Sequence, residues 1–80
     1  MINMREDLIN ASKLHFRAHI EKHRINVETL LEKGVGVAEH PDIMDTIEKE
    51  LGIIDEYDDK LNILNKYFDD SNTNKEVING

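Results

Sequence analysis

The chain has 80 residues, no cysteine, four histidines and a formal net charge of −7. A domain of this size buries only about 60% of the surface its unfolded chain exposes, and without thiols it has neither a disulfide framework nor a thiolate metal site to compensate for a thin core. No apolar run approaches the length of a signal or membrane segment, so the expectation is a cytoplasmic protein with no membrane association, one helical domain over residues 1–70 and a disordered tail over 71–80.

Charge is unevenly divided. Residues 1–33 carry six Lys or Arg against five Asp or Glu, whereas residues 34–80 carry four against twelve. A mildly basic first half therefore precedes a strongly acidic second half, and the overall field repels phosphate. Nucleic acid could bind only at a local patch.

In chain order, Asn3 followed by Glu6 and Asp7 fits a helix cap with acids near the positive helix end. Apolar residues from Ile9 through Phe16, Ile20, Val27 and Leu30 then recur at helical spacing, with Leu31 alongside and His23 inside the same stripe. Lys33 suits the last turn, and Gly34 is the expected left-handed stop. The connection GVGVAEHP places Val35 and Val37 where they could seal the end of the core. Pro41 suits the first turn of a second helix, favoured electrostatically by Asp42 and Asp45.

In that second helix Ile43, Ile47, Leu51, Ile54, Tyr57, Leu61, Leu64 and Phe68 have a mean step of about 3.6 residues. Gly52 interrupts the pattern at a cost of roughly 1 kcal/mol relative to alanine, which suggests a bend or a close crossing of another backbone. The expected fold is all-α: an antiparallel helical hairpin or small helical bundle, its two long helices either continuous or broken near Arg24 and Gly52. Leu14, Ala18 and Ile25 form a second apolar line that a lone hairpin would leave wet. Pairing into a homodimeric four-helix bundle is the alternative to breakage.

The candidate sites centre on HFRAHIEKHR. His15, His19 and His23, four apart, could in principle hold a metal, yet neither HExxH nor a Glu-x-x-His pair occurs. The expectation is no metal and no cofactor, with His23 at the core edge and His15 and His19 in water. Lys13, Arg17 and Arg24 form a basic edge that either faces the acidic run 55–59 on the second helix or, with Lys22 and His23, contacts phosphates. No Ser-His-Asp set, phosphate loop or catalytic carboxylate pair is recognisable, which argues against an enzyme.

The segment VGVAEHPDIMDTIEKELGIIDEYDDKLNILNKYF, with HFRAHIEKHRINVETLL before it, resembles a group of small T4-type tailed-phage proteins that includes the short companion encoded beside the UvsW recombination DNA helicase. Val35, Gly36, Val37, Glu39, His40, Pro41 and Asp42 carry the most distinctive part. The resemblance implies an accessory role in phage DNA recombination, repair or replication inside the infected host cell. The partner would be branched or single-stranded DNA or a phage recombination protein. The other expectations are an acidic protein-protein adaptor and a virion-associated structural protein.

Overall fold

A computed structural model describes residues 3–34 and 41–69. It consists of two helices, α1 (Met4–Gly34) and α2 (Pro41–Tyr67), packed against each other as an antiparallel pair. No strand is present among the described residues. The expectations placed on Val35, Gly36, Val37, Glu39, His40 and the tail beyond Asp69 lie outside the described residues.

The start of α1 follows from its first residues. The Asn3 side-chain oxygen accepts a hydrogen bond from the Glu6 amide at 3.1 Å, and the Asn3 carbonyl accepts from the Asp7 amide at 2.9 Å. These contacts satisfy amides that a helix otherwise leaves unpaired. Pro41 opens α2 as expected, where its missing N–H costs no helical bond.

Both helices run unbroken. α1 is continuous through Arg24 and α2 through Gly52, which removes the arrangement of shorter helices. Gly52 is exposed, and a methyl group added there would meet nothing within 4 Å, so it marks no close crossing of another backbone. Gly34 also departs from expectation. It is the last helical residue, its φ lies outside the left-handed region, and it does not end α1 by a left-handed turn.

The seam has a stricter rule than the sequence spacing suggested. In α1 the half-buried positions Ile9, Lys13, Phe16, Ile20, His23, Val27, Leu30 and Gly34 advance alternately by four and three. In α2 the same alternation runs through Ile43, Ile47, Glu50, Ile54, Tyr57, Leu61 and Leu64, and ends at the more exposed Phe68. A mean step of 3.5 keeps one stripe facing its partner along the whole length. His23 meets Glu50, and seven residues back along α1 Phe16 meets Tyr57, seven residues forward along α2.

This alternation corrects the expected core. Leu51 is 51% exposed and Glu50 takes the seam position instead. Two consecutive steps of four, from Ile43 to Ile47 to Leu51, would each rotate the stripe by about 40° in the same direction. A step of three to Glu50 returns it. Leu31 is likewise outside the seam, at 52% exposure.

The two helices do not complete a core. No described residue is fully buried, while Met4, Leu8, Leu14 and Ile25 project from the outer side of α1. The second apolar line expected there is thus uncovered in the hairpin. The outward side of α2 carries Asp45, Glu48, Asp55, Glu56 and Asp59, all exposed.

Candidate functional site

Polar side chains enter the seam near its middle, where His23, Asn26 and Glu50 converge. The Nδ1 atom of His23 pairs with a Glu50 carboxylate oxygen, and the Asn26 amide donates to both Glu50 oxygens at 3.3 Å. The side chains of His23 and Glu50 retain only 12% and 17% of their exposure. The His23 hydrogen bond holds the Glu50 carboxyl below its ordinary value; partial loss of water opposes this, and the Asn26 bond assists it. The cluster satisfies polar groups that would otherwise weaken the seam.

One turn towards the open end, Tyr57 is covered by His19. Their rings stack at 4.4 Å with only 9° between planes. Phe16 lies 6.1 Å from the same tyrosine, and the Lys60 ammonium sits 5.1 Å from its ring centre. His19 is therefore half-buried and committed to packing, contrary to the expectation of a solvated imidazole. Loss of water, and then the nearby His15, Lys22 and His23, push its pKa below the ordinary histidine value.

His15 is exposed and touches His19 edge-on at 4.5 Å. Among the described residues no group of three or more His, Asp or Glu side chains is arranged to hold a metal ion. The i,i+4 histidine spacing produces a ladder of rings, with His19 and His23 6.3 Å apart and nearly parallel.

The basic edge does not assemble as one surface. Lys13 is half-buried and pairs with Asp69, beyond the end of α2, rather than with the acidic run 55–59. Arg24 forks onto Glu21 of its own helix at 2.6 and 3.1 Å. That hydrogen bond lowers the Glu21 pKa and raises that of Arg24. His23 belongs to the Glu50 cluster. Of the five suggested phosphate contacts, only Arg17 and Lys22 are exposed without an ion pair among the described residues. Within the acidic run, Glu56 is paired locally with Lys60 at 2.6 Å.

Of the loop motif, Pro41 and Asp42 fall within the described residues. Pro41 opens α2, and Asp42 is exposed in its first turn, its carbonyl accepting from the Thr46 hydroxyl at 2.7 Å.

The exposed apolar side chains were only partly evident beforehand. At the open end of the hairpin Leu8, Ile9, Leu64 and Phe68 line a shallow groove bordered by Arg5 and Ser12. The Arg5 guanidinium donates to the Phe68 carbonyl at 2.7 Å, tying the end of α2 to the beginning of α1. Farther along α1, Leu14 and Ile25 remain 67% and 51% exposed. Met4 and Leu8 escaped notice because they lie near a terminus, before the longer periodic stripe becomes apparent. The available signal was that Met4 stands seven residues before Ala11 and Leu8 four before Ser12.

The fold defines a class, the antiparallel two-helix hairpin with a polar layer in its seam. No family model, curated protein or solved structure matches the chain.

Proposed function

We propose that this chain is a non-enzymatic helical interaction module, an adaptor whose working surface is the outer side of α1. The observation that carries the reading is asymmetry between the two outward faces. Both helices expose apolar side chains, Met4, Leu8, Leu14 and Ile25 on α1 and Met44, Leu51 and Ile63 on α2, but those of α2 stand among the exposed acids Asp45, Glu48, Asp55, Glu56 and Asp59. Contiguous apolar surface on a small domain marks a place where another molecule packs, and a long helical face suits helix-on-helix recognition. The acidic side of α2 supports solubility and discourages the opposite mode of docking.

Photo-crosslinking tests the reading directly. A photoreactive residue at Leu14 or Ile25 should give protein adducts in a native extract, and one at Asp55 should give few or none. Adducts of equal yield from Asp55, or none from Leu14 and Ile25, would refute the assignment of the surface.

A nucleic-acid role, accessory to phage DNA recombination as the sequence resemblance implies, is the second reading. The exposed Arg17 and Lys22 favour it. Titration with branched and single-stranded DNA should then show binding that falls steeply with salt and is lost in Arg17→Glu/Lys22→Glu. Binding unchanged by the two reversals would eliminate that interface.

A further inference from the structure

His23 meets Glu50, Phe16 meets Tyr57 and Arg5 reaches the Phe68 carbonyl, and together these contacts define one alignment of α2 on α1. Apolar spacing does not by itself select it. Both stripes repeat every seven residues, so sliding α2 by one heptad returns apolar side chains to apolar partners. The displaced alignment would set Phe16 against Leu64, Ile20 against Leu61 and Val27 against Ile54, over a seam of similar length. The opposite slide shortens the overlap.

The connection between the helices does not forbid the displacement either. Six residues link Gly34 to Pro41, and they can reach ~20 Å at ~3.3–3.6 Å per residue. One heptad moves α2 by only ~10 Å at ~1.5 Å per residue. What separates the two alignments is Glu50. In the observed one its carboxylate meets His23 and Asn26. In the displaced one it would face Leu30, which offers no hydrogen bond, and a carboxylate held from water without a partner is strongly disfavoured. Lys33 would take the place of Asn26, but at an exposed rim where an ion pair contributes little.

We propose that the His23, Asn26 and Glu50 layer is the register lock of the hairpin, selecting this alignment of α2 over the one displaced by a heptad. A polar pair in an apolar seam serves alignment at the expense of strength. The lock also keeps the open end closed. The displacement would carry Phe68 away from Arg5 to the level of Ser12, uncovering the first turns of α1.

The absence of natural cysteine lets spin labels report the alignment. Labels on Glu28→Cys and Asp58→Cys, both exposed, are offset along the axis by about 20 Å in the observed alignment and about 9 Å in the displaced one, at ~1.5 Å per residue. Pulsed electron paramagnetic resonance of labelled chain diluted into excess unlabelled chain should give one distance for the otherwise unchanged protein. His23→Leu/Glu50→Leu should add a second, shorter distance although it melts higher. Moving the histidine by one heptad, in His23→Leu/Leu30→His, should shift the main distance to the shorter value. Retention of the longer distance alone in either variant overturns the proposal. Circular dichroism checks that both fold, and should one unfold, the other decides.

Discussion

His23 and Glu50 pair across the seam at positions that the heptad alternation would otherwise assign to apolar side chains. Asn26, one turn along α1, donates to the same carboxylate. Removing one member of such a cluster leaves the other members poorly solvated, whereas replacing the facing pair with apolar groups removes the charged groups and leaves only the Asn26 amide to be solvated at the seam edge. Glu50→Ala should therefore lower the melting temperature more than Glu56→Ala, whose carboxylate serves only an exposed pair with Lys60. His23→Leu/Glu50→Leu should melt higher than either single variant. Thermal denaturation of the parent and the five variants at one pH is the measurement, and equal effects of Glu50→Ala and Glu56→Ala would show that the cluster contributes no more than a surface pair.

Acid should weaken the fold in two stages. His19 has a folded pKa below 6.5, so the folded state favours its neutral form. That contribution is complete above 6.5 and is lost as pH falls through the lower folded value. Glu50 is depressed below 4.5, so its contribution is present above 4.5 and is lost as pH falls through its folded value. Urea midpoints measured from pH 8 to 3 should decline below about pH 6.5 and decline again below about 4.5. His19→Gln should flatten the first decline and Glu50→Gln the second, each relative to the parent.

Gly52→Ala should stabilise the chain by about 1 kcal/mol, because glycine carries an entropic penalty within a helix. Its surroundings provide no steric objection, since a Cβ would meet no atom within 4 Å. A rise in the urea midpoint without a change in slope is the expected outcome. A lower midpoint would mean that the glycine serves a contact absent from the isolated hairpin.

The exchange of Leu51 for Glu50 in the seam yields a direct comparison. Leu51→Ala should change stability by less than about 0.5 kcal/mol, as an exposed substitution does. Ile54→Ala should cost on the order of 1–2 kcal/mol, less than the loss of a fully buried side chain because Ile54 is only half-buried. Reversal of that order would place Leu51 rather than Glu50 against α1.

At the start of α1, Asn3→Ala should cost about 1 kcal/mol, the usual consequence of losing a side-chain cap. The Asn3 oxygen accepts from the Glu6 amide, and alanine has no acceptor to replace it. Amide exchange should accelerate across residues 5–8 while the His23 region keeps its protection. Uniform acceleration along α1 would instead show that fraying at this end opens the whole hairpin.

Two long helices, the cap at Asn3, the entry of α2 at Pro41 and the placement of His23 in the apolar stripe were legible from residue spacing. Those features depend on neighbours three or four positions away, and such neighbours are fixed by helix geometry itself. Partners across the hairpin depend on register. Lys13 could be assigned a basic edge from its helical angle, but only the packed pair brings Asp69 beside it. Likewise, Leu51 and Glu50 compete for one seam position, and apolarity alone favours the leucine. The tertiary structure selects the glutamate because the alternating steps keep both helices in contact over their full length, with His23 and Asn26 waiting opposite to satisfy its charge.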